Sequence, residues 1–99
     1  IVKLFAENPS PRVLRLINKV LEDGGVIVYP TDTVYSFGCD LTNAKALDKV
    51  AQLKGTKKEK ADFSIIFDDL SRLADYTKPI DTQTFKRLKR CLPGAFTFI

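Results

Sequence analysis

Gly24-Gly25-Val26-Ile27-Val28-Tyr29-Pro30-Thr31-Asp32-Thr33-Val34-Tyr35 decides how this 99-residue chain is read. Residues 26–29 form an unbroken β-branched and aromatic run, the pattern of a strand buried on both faces. Pro30 closes the run. A buried strand that ends in Pro-Thr-Asp-Thr brings two hydroxyls and a carboxylate to its C-terminal end, where α/β sheets bind ligands. Thr31, Asp32 and Thr33 can donate and accept hydrogen bonds at close spacing. Tyr35 adds an aromatic face with a polar tip, and Gly38 allows the backbone to turn away. The same residues also suit a capped turn in which Asp32 and the threonines satisfy local backbone groups. Both readings stand on spacing alone.

Upstream, residues 1–6 have the look of a short strand. Ser10 is placed to cap a helix and Pro11 to occupy its first position. Over residues 12–22 the apolar side chains Val13, Leu14, Ile17, Val20 and Leu21 share one helical face, and the glycines at 24 and 25 end it. Downstream, Thr42 or Asn43 can cap a helix over 44–53 with an apolar face of Ala46, Leu47, Val50, Ala51 and Leu53. A basic loop follows at 54–60. A strand is expected at 63–67 and a short helix at 69–76. A last helix, capped by Asp81 or Thr82, runs to Arg90, and a final strand covers 95–99. The order β-α-β-α-β-α-α-β predicts an α/β sheet with helices packed on it. An apolar strand at 95–99 with nothing to pair it would be an aggregation hazard, so the chain is expected to be a portion of a longer domain.

Composition narrows the function. Apolar residues make up 44% and charged residues 28%, an ordinary globular balance. No apolar run reaches the roughly 18–20 residues of a membrane span, and residues 1–10 lack the pattern of a signal peptide. A cytoplasmic setting with Cys39 and Cys91 as thiols is therefore expected, a disulfide requiring that the fold bring the two together. Histidine is absent, which removes Ser-His-Asp and Cys-His catalysis and most metal sites, and two cysteines cannot make a four-ligand zinc site alone. No protein-held metal is expected.

The net charge of +4 falls wholly in residues 51–99, where ten Lys/Arg face six Asp/Glu. Such a balance suits an anionic partner, or simply a lysine-rich solvated surface. In the 54–60 loop, Lys54, Lys57, Lys58 and Lys60 can act as point charges on phosphates, with Gly55 letting the backbone approach. The loop is not a P-loop, and no G-x-G-x-x-G occurs. Lys86, Arg87, Lys89 and Arg90 read as the solvent side of an amphipathic helix whose other face is Phe85, Leu88 and Leu92. Tyr29, Phe37, Phe63 and Phe67 read as core.

Together, the stretch 24–35, the following Phe37-Gly38-Cys39, Leu53-Lys54-Gly55 and the ending Leu92-Pro93-Gly94-Ala95-Phe96-Thr97-Phe98-Ile99 resemble the YrdC/YciO family, most closely its YciO-type branch. The resemblance covers nearly the whole chain and implies an open, twisted, mixed α/β sheet with helices packed on it, here truncated. Residues 1–99 would then be the N-terminal portion of a single YrdC-like domain. It further implies a basic concave face for double-stranded RNA or tRNA and a pocket for ATP. In the family's threonylcarbamoyl-AMP synthases, threonine, bicarbonate and ATP are joined with release of pyrophosphate, Mg²⁺ accompanying the nucleotide. By motif, Thr31, Thr33 and Tyr35, with Asp32 among them, would bind substrate. Lys54 would be the first residue of a Lys-x-Arg motif and the catalytic candidate. Two departures stand out: Thr56 occupies the arginine position, and the family's Ser-x-Asn motif is not present.

Overall fold

The computed structural model describes the backbone of residues 1–99 and every side chain but that of Lys58. Its elements are helix α1 (Pro11–Glu22), strands β1 (Ile27–Pro30) and β2 (Tyr35–Gly38), helix α2 (Ala44–Leu53), short 3-10 segments at Lys58–Lys60 and Leu70–Asp75, and helix α3 (Thr82–Cys91). They fall into two compact units, Ile1–Asp62 and Phe63–Ile99. The α/β class holds in a reduced form: helices with one two-stranded antiparallel sheet.

All three helices begin and end where their local signals place them. Pro11 opens α1, although Ser10 occupies the cap position without a side-chain hydrogen bond. The Gly24 and Gly25 amides donate to the Leu21 and Val20 carbonyls and close that helix. The Asn43 side chain accepts from the Ala46 amide at 3.0 Å, so Asn43 rather than Thr42 caps α2. Asp81 likewise caps α3 through the Thr84 amide at 2.7 Å. Of the first helix's predicted face, Val13, Ile17, Val20 and Leu21 are half-buried, while Leu14 stays 38% exposed. On α2, Ala46, Val50 and Ala51 are buried and form the core of the first unit, whereas Leu53 is exposed. In the second unit Leu88 is buried, and Phe67 packs edge-on against Tyr76 with ring centroids 5.5 Å apart.

The strand expectations need correction. Residues 1–6, 63–67 and 95–99 form no strand. A strand exists only through a neighbour that accepts and donates its backbone bonds, and the only ladder among the described residues joins β1 to β2. Nor is β1 buried on both faces. It pairs in the register Ile27↔Gly38, Val28↔Phe37, Tyr29↔Ser36 and Pro30↔Tyr35. Ile27, Tyr29, Ser36 and Gly38 are half-buried, while Val28, Pro30, Tyr35 and Phe37 are exposed. This alternation is that of an antiparallel hairpin with one face covered.

Candidate functional site

The register puts residues 31–34 at the tip of the β1–β2 hairpin, so Pro-Thr-Asp-Thr is a turn between antiparallel strands rather than the exit of a buried parallel strand. The tip is closed by the Thr31 amide donating to the Val34 carbonyl at 3.1 Å. The Thr31 hydroxyl donates to the same carbonyl and accepts from the Thr33 and Val34 amides at 3.3 and 3.2 Å. The local-turn reading therefore describes Thr31. Asp32 and Thr33 stand exposed beside it, and Tyr35 is 73% exposed on the first pair of the ladder. Gly38 serves the strand instead of a turn: a Cβ there would lie 2.7 Å from the Tyr29 ring, which occupies that space.

The lysine segment begins at the end of α2. Lys54 is the C-cap, Gly55 follows at φ +74°, and the Gly55 and Thr56 amides donate to the Gln52 and Ala51 carbonyls. This is a Schellman stop, which calls for glycine at the left-handed position. Gly55 thus ends a helix, and no atom outside its chain neighbours lies within 4 Å of the Cβ position. The Lys54 ammonium donates to the Asp62 carbonyl at 3.2 Å and ties the segment's two ends together. Lys57 and Lys60 are exposed, and Lys58 lies outside the described side chains. The predicted residues thus form two groups, one on the hairpin tip and one on the segment after α2.

Lys49 is a cation that sequence reasoning passed over. Its ammonium donates to the Gly24 carbonyl at 3.2 Å, linking α2 to the turn after α1. With Val26, Gln52 and Leu53 it lines an open depression of about 370 Å³. A single lysine on an amphipathic helix reads as solvent-facing, and only the tertiary approach of the glycine turn gives it a partner.

Electrostatics near the hairpin are set by Asp40. Its carboxyl is held below the ordinary carboxylate range by the Thr42 amide and, next, by the Thr42 hydroxyl. Partial burial, then the adjacent Asp40 charge, pushes the Cys39 thiol up, which keeps it protonated and a poor nucleophile. Cys39 and Cys91 are both free thiols. Among the described residues no three His, Cys, Asp or Glu side chains gather as metal ligands, and no helix is long and apolar enough to cross a membrane.

A two-stranded hairpin with hydroxyls and a carboxylate at its tip, followed by a helix that stops at Lys-Gly-Thr, makes the first unit a small mixed α/β scaffold. The family described as telomere recombination, Sua5/YciO/YrdC, matches residues 19–99, and the chain belongs to it. An uncharacterized protein of Haemophilus influenzae is 34% identical over 96 residues, covering 97% of this chain and 45% of that protein. The uncharacterized protein YciO of Escherichia coli is 32% identical over 96 residues, again 97% of this chain, and 46% of its own length. A threonylcarbamoyl-AMP synthase of Nitrosococcus oceani is 37% identical over 91 residues, 92% of this chain and 48% of the enzyme. The chain therefore spans about half the length of these relatives. No solved structure matches.

Proposed function

We propose that the chain is the N-terminal portion of a single YciO-type domain that acts in the cytoplasm, binds RNA (tRNA or double-stranded RNA) through its lysines and holds a nucleotide near the hairpin tip. The observation that carries this reading is Lys54-Gly55-Thr56 at the end of α2: a Schellman stop that presents lysine but no guanidinium. Lysines bind phosphates as point charges, whereas a planar guanidinium clamps a carboxylate or phosphate through two bonds. The exposed Lys57 and Lys60 extend that point-charge surface.

A second reading is a working threonylcarbamoyl-AMP synthase, favoured by the 37% identity to the Nitrosococcus oceani enzyme. Threonine, bicarbonate and ATP would then be substrates. Asp32 and Thr33 offer a carboxylate for an ammonium group and a hydroxyl for a carboxylate or carbamate. Lys54, helped by Lys57 or Lys58, offers positive charge where negative charge develops on the phosphates. Among the described residues no three His, Cys, Asp or Glu side chains gather to hold Mg²⁺ by themselves. It would travel with the triphosphate, as is usual for nucleotide-bound Mg²⁺.

The test supplies the complete protein with ATP, bicarbonate and Mg²⁺ and follows pyrophosphate with and without threonine. The first reading expects no threonine-dependent release and RNA affinity that falls steeply with salt; threonine-dependent release replaces it with the second. Thr56→Arg separates the two further. The Thr56 amide holds the Schellman bond and its side chain does not, so arginine is compatible with the turn. A restored two-bond clamp is worth about tenfold or more in synthase rate if the pocket is otherwise intact. An unchanged rate removes the missing arginine as the explanation.

A further inference from the structure

The two threonines of the hairpin tip have different chemical capacities left to them. A hydroxyl carries one donor and two acceptor lone pairs. At Thr31 all three are used: the proton goes to the Val34 carbonyl, and the lone pairs take the Thr33 and Val34 amides at 3.3 and 3.2 Å. The Thr31 amide reaches the same Val34 carbonyl at 3.1 Å, so residues 31 and 34 clamp each other in both directions. Tight hairpin loops commonly rely on glycine at positive φ. This loop contains no glycine, and among the described residues no non-glycine residue has positive φ. The Thr31 side chain instead supplies three of the hydrogen bonds that hold it.

Thr33 is otherwise placed. Among the described residues its hydroxyl makes only one hydrogen-bond contact, with the Thr31 oxygen at 3.5 Å, the outer limit of a hydrogen bond. It is exposed and keeps its donor and acceptor capacity for a ligand.

We propose that Thr31 is a positioning residue whose hydroxyl is committed within the loop, and that it fixes the backbone from which the Thr33 hydroxyl and the Asp32 carboxylate meet the ligand. The first half stands on the hydrogen bonds alone. The second rests on the reading that this tip lines a pocket for an amino acid or nucleotide, and it removes Thr31 from direct substrate contact.

Two measurements on the full chain keep these halves apart. Amide hydrogen exchange at positions 33 and 34, followed by NMR, reads the loop whether or not any ligand binds. Calorimetric titration with L-threonine and with ATP reads the pocket. In the unmodified protein both amides exchange more slowly than in an unstructured chain. Thr31→Val keeps the branched shape but removes all three bonds, and should speed both amides at least about fivefold, the weight of one ordinary hydrogen bond. Thr31→Ser keeps the hydroxyl and restores protection. Thr33→Val leaves both amides protected and weakens whichever ligand binds by a similar factor. Unprotected amides in the unmodified protein, unchanged exchange in Thr31→Val, or a Thr31→Ser variant that behaves like Thr31→Val would each overturn the positioning role. Ligand binding that survives Thr33→Val unchanged overturns the division of labour. If neither ligand binds at all, the pocket reading fails while the exchange rates still decide Thr31.

Discussion

Aspartate does much of the local ordering in this chain, and always by the same device. The carboxylates of Asp40, Asp69 and Asp81 accept the backbone amides of Thr42, Ser71 and Thr84 at 2.9, 2.8 and 2.7 Å. In each case that amide bond is the leading cause of a carboxyl held below its ordinary value. A carboxyl depressed in the folded state stabilises the fold at pH above its unfolded value, near 4, and the contribution disappears as pH falls through the folded value. The helical signal of α3 should accordingly hold from neutrality to about pH 4 and decline below it. Asp81→Asn keeps a good cap without a titrating proton. Its circular dichroism at 222 nm, followed during acid titration, should fall less steeply than that of the unmodified protein; superimposable curves would show that Asp81 is not responsible. Of the three, Asp81 was legible in the sequence, as one of two candidate caps with Thr82, because a cap depends on residues two or three positions away. The Thr31 clamp was visible only as an alternative, since spacing does not tell a hydroxyl that serves its own loop from one that serves a ligand.

At the scale of elements, α2 shows why helices could be read from the sequence while the sheet could not. Its apolar period, its Asn43 cap and its Gly55 stop all lie within the thirteen residues 43–55, and the structure bounds it at Ala44–Leu53 as expected. Strand pairing has no such local code. The runs at 1–6, 63–67 and 95–99 have strand composition yet find no ladder partner among the described residues, whereas β1 pairs with residues 35–38, which are not among the strands expected from the sequence. Aromatic Tyr35 and Phe37 alternating with small Ser36 and Gly38 were the available signal for that second strand. The two ends of α2 can be tested separately. Asn43→Ala removes the bond to the Ala46 amide and should cost about 1 kcal/mol. Gly55→Ala places a side chain at φ +74° and should cost about 1–2 kcal/mol, with open space around it so that backbone conformation alone is responsible. The ends of a ten-residue helix lie about 15 Å apart, so in urea denaturation the double variant should show the sum. A double variant well short of that sum would mean that one end had already frayed.

For the whole molecule, the charge balance bears on the partner more directly than the fold does. The excess of +4 comes entirely from residues 51–99, and apart from Arg72 and Lys78 its lysines and arginines occupy two distinct settings. Lys57 and Lys60 are exposed on the segment that α2 delivers. Lys86, Arg87, Lys89 and Arg90 line the exposed side of α3, where the Lys89 ammonium sits 5.2 Å from the Phe85 ring. The first setting combines exposed cations with a hydrogen-bonded helix stop; the second is what any amphipathic helix shows to water. Phosphate contacts release counterions, so each one adds close to one unit to the slope of log affinity against log salt. On the proposed RNA-binding reading, a variant carrying Lys57→Gln and Lys60→Gln, measured on a short RNA duplex, should bind more weakly at every sequence and lose about two units of slope. Lys86→Gln with Arg90→Gln removes the same formal charge and should leave the slope nearly unchanged. Equal losses in the two variants would mean that only total charge matters, and a loss confined to the α3 variant would move the RNA surface onto that helix.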